Sequence, residues 1–407
     1  MRVLMISPQI PWPLNMGSKI RIYHVLQELA RAGYEVSLLA LAFEPYVQED
    51  LEALKPYCVD FNVITVQNRS RTRAALKALL SFKPYGVAKF ENPEFKQAVA
   101  EALQRAYDIL WVHFMETLAH VPQLCFRERR PLVVLDQHNA DERFWETFAR
   151  EGLPWVRFFA KFNLWQLRRF QASVLKQVDV ILSVSKEDAD FTQARLVNPA
   201  TQVWVVPNGV DTEKLRPPDI AERKNRIIFC GAMDVLMNID AVNWFAYRML
   251  PRVREAVPDA EFWIVGRDPT PKVKALASLP GVRVTGQVED VRPYYAEAKV
   301  AVAPFRYGGG TKLKVLEAMA LGVPVVATPI GCHGIEAASG KHLFKEENEK
   351  AFAERVVNLL QEENLRLQMA MEARRLVEER YSWHSIMSDA IKRLEWMIGR
   401  GQQNEVP

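Results

Sequence analysis

The sequence predicts an α/β protein built as two doubly wound, Rossmann-like domains. Three observations predict it. Short apolar runs of the kind that form buried parallel strands recur along the chain, at residues 2–7, 35–42, 109–113, 132–136, 178–185 and 202–206, and again at 226–231, 261–265, 282–285, 300–303 and 324–328. Stretches of helical spacing separate them, so right-handed crossovers are expected. Between the two series stands PNGVDTEKLRP, residues 207–217. Its Asn208-Gly209 pair signals a tight turn, and its prolines and charges suit a hinge.

Length and composition bound the possibilities. A chain of 407 residues, 49% of them apolar, has material for two to three domains, each with a core. The net charge of +4 does not by itself argue for nucleic acid. Cys58, Cys125, Cys230 and Cys332 are scattered with no CxxC pair, which fits a reducing compartment and neither a disulfide framework nor a zinc site. No apolar run approaches the roughly 18–20 residues of a spanning helix. The first strand starts at once, with no signal peptide before it. The expectation is a cytoplasmic protein, soluble or peripheral at the inner face of the cell membrane.

The first strand, 2–7, leads through a proline-rich loop ending at Gly17-Ser18 into a helix over 19–31. Gly17 stands at the carboxyl end of a strand and the start of a helix, where open α/β sheets bind ligands. On these residues alone it is equally a loop glycine. Lys19 and Arg21 either add positive charge there or are simply exposed. Residues 67–90 carry Arg69, Arg71, Arg73, Lys77, Lys83 and Lys89 with no acidic residue, interleaved with Leu76, Leu79 and Leu80. That is either a basic amphipathic segment for an anionic membrane or a solvated face.

The strand 132–136 runs into Asp136-Gln137-His138-Asn139, while His113 ends the preceding strand and Glu116 follows it. Residues 154–176 again lack acids. Trp155, Phe158, Phe159, Phe162 and Trp165 recur on one helical face, and Arg157, Lys161 and Arg168 line another. An interfacial helix is built this way, and so is a core-facing helix with a basic outer side. No nucleic-acid motif accompanies these segments, so nucleic acid is not an expected partner.

In the second series a helix over 238–252 bears Trp244 and Phe245, and the strand 261–265 ends at Gly266-Arg267. Asp290 caps a short helix over 291–298. Helices over 347–363, 365–379 and 385–398 close the chain, with a frayed tail from about 399. The densest stretch is 300–328, VAVAPFRYGGGTKLKVLEAMALGVPVVAT. It reads as a strand, a glycine triplet, a helix, a Gly-Val-Pro turn and a second strand. Gly308, Gly309 and Gly310 permit positive φ and close approach of a ligand. Thr311 can cap the helix, and Leu313, Leu316 and Met319 give it a buried face. The helix start, with Lys312 and Lys314, is an anion site suited to a diphosphate. Glu317, within two turns, is placed to accept hydrogen bonds from hydroxyls.

This stretch resembles the donor-site motif of the GT-B glycosyltransferases, specifically the large retaining family four, and the resemblance covers most of the chain. NGVD at 208–211 is a specific feature of that family, where it joins the two halves. The resemblance implies domains at 1–207 and 208–381 facing across a cleft, and a helix in 382–407, beginning near Trp383, that crosses back to the first. A nucleotide sugar, UDP- or GDP-linked, would bind chiefly to the second domain. Its diphosphate would sit after Gly310 and its ribose on Glu317, with the 329–334 loop contacting the donor. A glycan or lipid-linked acceptor would bind chiefly to the first. Gly17 would let the chain approach the donor phosphate, and His138 would reach toward the transferred sugar. The implied catalytic residues are His138, Glu317 and Lys312. The implied donor-binding residues are Gly17, Arg267, Arg306, Gly308, Gly309, Gly310, Thr311, Lys312, Lys314 and Glu317. Retention of anomeric configuration is implied, with no cofactor and no metal. The lack of a DxD-type pair at a strand end agrees.

Two departures stand out. The family usually carries two glutamates eight positions apart, and the first falls on Gly309. It also carries an arginine and a lysine where this chain has Ala232 and Met237. Lys312, Lys314, Arg306 and Arg267, with the helix end, are left to meet the diphosphate. A donor loop like GGGTKLKVLEAMA marks a branch of the family tied to bacterial exopolysaccharide and surface-polysaccharide clusters. The expected activity is therefore sugar transfer in such a pathway. A GT-B sugar-nucleotide epimerase and a non-catalytic scaffold binding a nucleotide or a partner are the alternatives. A dinucleotide-dependent oxidoreductase is disfavoured, because no GxGxxG follows the first strand.

Overall fold

Runs of Val, Ile, Leu and Ala too apolar to face water on either side become central parallel strands, and the amphipathic segments between them become the covering helices. The computed structural model describes residues 1–43, 45–66, 71–122, 130–138, 141–151, 154–196, 198–217, 223–308 and 310–403. The chain divides into two compact α/β units, Met1–Val206 with Met387–Pro407, and Pro207–Ile386.

The first unit holds β1 (Arg2–Ser7), β2 (Glu35–Ala42), β3 (Asp60–Thr65), β4 (Ile109–His113), β5 (Leu132–Gln137), β6 (Val180–Ser183) and β7 (Gln202–Val205). They form a parallel seven-stranded sheet in the order β3-β2-β1-β4-β5-β6-β7. Val3 stands opposite Val36 on one side and Ile109 on the other, and His113 stands opposite Asp136. Leu4, Ile6, Val112, Leu135 and Ile181 pack beneath Phe95 and Val99 of the helix Pro93–Ala102. The strand order reverses between β1 and β4, so loops after these strands open a crevice at the carboxyl edge.

The second unit repeats the plan with β8 (Lys224–Cys230), β9 (Glu261–Val265), β10 (Val282–Gly286), β11 (Ala298–Ala303), β12 (Val325–Ala327) and β13 (Phe344–Lys345). The order is β10-β9-β8-β11-β12-β13, with the reversal between β8 and β11. Phe229, Phe245, Phe262, Val302, Leu316 and Phe352 meet in its core.

The structure corrects several expectations. The edge strands β3 and β13 were not foreseen. In DFNVIT, Asp60, Asn62 and Thr65 interrupt the apolar run, as befits a strand only partly covered, and β13 is two residues long. Asn208-Gly209 makes no turn. Val210 bridges Ser382, and a Cβ on Gly209 would lie 2.9 Å from the Tyr381 carbonyl. Close backbone passage, not a turn, accounts for that glycine. Arg21 is buried, and the closing helix, Trp383–Gln403, runs past residue 398. Its residues from Met387 onward group with the first unit, where Tyr34 donates to Glu395 at 3.1 Å. Asp290 accepts from the backbone N–H of Arg292 at 2.9 Å, at the start of the helix Arg292–Ala296. Among the described residues no helix is long and apolar enough to cross a membrane.

Candidate functional site

In the second unit the strand reversal brings the ends of β8 and β11 side by side. Gly231 and Ala232 follow β8, and Gly308 and Gly310 follow β11. Gly308 at φ +116° and Gly310 at φ +70° take conformations that side-chained residues rarely adopt, and a Cβ on Gly308 would lie 3.0 Å from Met237 Sδ. Gly309 lies outside the described residues. The helix that follows, Leu313–Ala320, starts one residue later than a Thr311 cap would place it. Lys312 is its N-cap, and no side chain caps it. Thr311 does not serve as the cap, and its hydroxyl is buried with no hydrogen-bond partner among the described residues. The helix start therefore leaves backbone N–H groups without a side-chain cap at the mouth of the sheet, with the buried Thr311 hydroxyl beside them.

Two cations converge on this start. Lys314 Nζ donates to Asn238 Oδ1 at 2.8 Å and lies 4.1 Å from the Phe229 ring centroid and 5.0 Å from that of Phe305. A Cβ on Gly231 would fall 2.6 Å from that nitrogen. Asn238 donates to the Ala232 carbonyl at 2.8 Å and so fixes the lysine against the end of β8. Lys312 is buried, with Nζ donating to the Gly310 carbonyl at 3.0 Å. Burial lowers the Lys312 ammonium to about 8 and the Lys314 ammonium to about 7, with Glu317 opposing the second shift. Burial raises the Glu317 carboxyl, and Lys314, one helical turn away, opposes it.

The other two expected cations each have a carboxylate partner. Arg306 bonds Asp240 through Nε at 2.9 Å and covers Trp244, while Arg267 bonds Asp268 at 2.5 Å. Lys312 and Lys314 stand at the glycine turn with their ammonium groups on the Gly310 carbonyl and on Asn238. Asn238 was not singled out from the sequence. A lone asparagine in a helix gives no signal until its lysine partner, 76 residues away, is placed beside it.

The first unit carries Gly17 and His138. Gly17 is exposed at the start of the helix Gly17–Arg31. His138 is buried just beyond β5, its ring stacked on Phe114 at 4.0 Å. Phe114 has φ +64°, an uncommon conformation for such a residue. Under these rings lies a network the sequence did not disclose. Arg21 bonds Asp136 at 2.7, 2.9 and 3.1 Å and the Val206 carbonyl at 3.0 Å. His113 Nδ1 lies 3.2 Å from both Asp136 Oδ2 and His138 Nε2. Burial alone would raise the Asp136 carboxyl. Arg21, His113 and His138 outweigh it and hold the group well below the usual carboxylate range. Burial lowers both histidines, so His113 and His138 are neutral near pH 7.

The ligand atoms of His113, Asp136 and His138 lie within 4.8 Å of one another, a spacing a metal ion could use. The chemistry of the set argues otherwise. Arg21 already neutralises Asp136 through three contacts and would repel a cation placed there. The trio reads as a hydrogen-bonded support for His138. Glu116 has Oε1 against Gly86 and Oε2 buried with no partner among the described residues.

Comparison with known proteins bears on the family and the fold. The family described as Glycosyltransferase Family 4 matches residues 17–214, and Glycosyl transferases group 1 matches residues 224–362. A 44.6 kDa protein in the cps region of Klebsiella pneumoniae is 22% identical over 404 residues, 96% of this chain and 99% of that protein. A phosphatidyl-myo-inositol mannosyltransferase of Mycobacterium leprae is 28% identical over 211 residues, 49% of this chain and 55% of that protein. Among solved structures, sucrose-phosphate synthase of Thermosynechococcus elongatus superposes with a TM-score of 0.69 at 17% identity, covering 98% of this chain and 100% of its own. HepE of Anabaena in complex with UDP-glucose gives 0.62 at 15% identity, covering 97% and 99%.

Proposed function

We propose that this chain, which belongs to the group 1 and family 4 glycosyltransferases and has their GT-B architecture of two Rossmann-like units, retains anomeric configuration as it moves a hexose from a nucleotide sugar to a glycan or lipid-linked acceptor. The observation that carries the reading is the placement of Lys314. Its ammonium stands against the end of β8, beside Gly231 and Ala232, and Lys312 stands at the adjoining helix start. The two lysines and the uncapped helix end together form a cationic seat for a diphosphate. They supply from the helix side the charge that Ala232 and Met237 do not.

Bond breaking in the donor develops negative charge on the leaving nucleoside diphosphate. Groups fixed in advance around that charge lower the barrier most. In this reading Lys312 and Lys314 stabilise the leaving group and Glu317 holds the ribose. The Thr311 hydroxyl and the backbone at Gly308 and Gly310 contact the phosphates. His138, neutral and braced by the Asp136 network, hydrogen-bonds the sugar being transferred. No metal and no cofactor take part.

A role in exopolysaccharide or surface-polysaccharide synthesis is supported by the relative in a cps region. A UDP-linked donor is supported by the neighbour that binds UDP-glucose. Attachment to the inner face of the cell membrane, where a lipid-linked acceptor would lie, belongs to the same reading. The test is incubation with labelled UDP- and GDP-sugars and a membrane extract. Label transferred to an acceptor with retained configuration supports the reading. An isomerised free sugar nucleotide, formed without acceptor, would instead indicate an epimerase.

A further inference from the structure

The helix Pro154–Val174 carries Trp155, Phe158 and Trp165 on its outer side, with Trp155 71% and Phe158 75% exposed. The sequence put the aromatics on one face and the cations on another. The structure instead turns Phe159 inward against Trp145 and Tyr85, and sets the half-buried Phe162 against the exposed Phe82. The remaining aromatics stay outside among the cations. Arg157, Lys161, Trp165 and Arg169 stand four residues apart and form one ridge. Arg169 covers the Trp165 ring at 4.9 Å. Among the described residues none of Arg157, Lys161 and Arg169 pairs with a carboxylate, although Arg168 is held by Glu142 and Glu146.

The helix Arg71–Ser81 packs beside this ridge, with Gln166 donating to the Ala78 carbonyl at 3.0 Å. It adds exposed Leu76 and Leu80, the latter at 73%, and Phe82 follows it at 67%. Phe82, Phe162 and Trp165 form a run of ring contacts joining the two segments. Lys77 and Lys83 nearby share Glu91 as their acidic partner, so two cations there meet one carboxylate.

We infer that this face is a docking surface for an anionic lipid bilayer. Large apolar side chains this exposed have no reason to remain in water unless something apolar covers them. Arg157, Lys161 and Arg169, which have no carboxylate partner among the described residues, select a negatively charged cover. Indole and phenyl rings beside guanidinium groups match the boundary between headgroups and acyl chains. The inference deepens the membrane part of the proposed function, and its test uses no sugar, so it stands or falls separately from the transferase reading.

The test is flotation of the full chain with vesicles of phosphatidylcholine alone and with about one-third phosphatidylglycerol. The wild type should float with the anionic vesicles at low salt and separate from them at high salt. Trp155→Ser with Phe158→Ser should reduce binding at least tenfold. Arg157→Glu with Lys161→Glu should do the same, each charge being worth about fivefold at such a surface. Both pairs are exposed, so unchanged circular dichroism and thermal midpoints should accompany the loss. Failure of the wild type to float, equal binding to neutral vesicles, or variants that bind like the wild type would overturn the inference. So would a wild-type dimer in solution that Trp155→Ser with Phe158→Ser converts to a monomer, since the face would then be an interface between copies.

Discussion

Lys314 Nζ lies 2.8 Å from Asn238 Oδ1, and the amide nitrogen of the same asparagine donates to the Ala232 carbonyl at 2.8 Å. One side chain thus ties the helix after the glycine turn to the end of β8. The positive charge sits over Gly231, where any side chain would crowd it. Lys314→Ala should weaken binding of a nucleoside diphosphate about 10- to 100-fold, the range for a lost hydrogen bond to a charged group. Asn238→Ala should give a smaller loss, because the ammonium remains without its tether. Titration calorimetry of both variants checks the order.

Burial sets the lysines near 8 and 7 before anything binds, and an incoming diphosphate would raise both. Binding should therefore take up protons. Affinity should be greatest below about pH 7 and fall as pH rises through 7 to 8, by up to tenfold per unit for each lysine that must be recharged. Calorimetry in buffers of different ionisation enthalpy reads the uptake directly. Affinity independent of pH between 6 and 9 would show that these lysines do not meet the ligand.

Arg21 and Asp136 form a buried pair, and removing one partner strands the other. Arg21→Ala should cost about 3–5 kcal/mol. The sign with pH follows from the carboxyl. In the wild type it is depressed, so its contribution is present above the ordinary carboxylate range and lost as pH falls toward the folded value. In the variant, burial without the guanidinium favours the protonated acid, so the penalty should be larger at pH 8 than at pH 5. Urea midpoints at the two pH values measure this.

Gly266 has φ +151°, and a Cβ there would lie 1.8 Å from the Gly231 carbonyl oxygen. Gly266→Ala must displace the end of β8 beneath Lys314. A destabilisation of about 1–3 kcal/mol is expected, with nucleotide binding reduced beyond what the stability change explains. Thermal midpoint and calorimetry together separate the two effects.

His138 belongs to the first unit and the two lysines to the second, and its proposed partner is the transferred sugar. His138→Ala should lower turnover about 100-fold or more while nucleotide affinity stays within twofold. Steady-state kinetics beside binding isotherms would show the split.

The sequence disclosed the parts of the fold that follow local rules. β1, β2, β4 and β9 lie at the expected residues because a run such as VLMI in β1 has only one place to go. Partly covered β3 and the two-residue β13 carry no such imprint. The glycine turn and the two lysines were legible as neighbours in sequence. Which lysine would face Gly231, and that Arg306 and Arg267 would be taken by Asp240 and Asp268, depended on tertiary contacts. Arg21 reads as a surface cation of an early helix until Asp136, 115 residues on, is folded against it.

The most direct test of the donor seat is calorimetric titration of UDP and GDP into the wild type and Lys314→Ala at pH 7. The account predicts saturable binding of one nucleotide by the wild type and at least tenfold weaker binding by the variant. Equal affinity in the two proteins, or no binding of either nucleotide by the wild type, would contradict it.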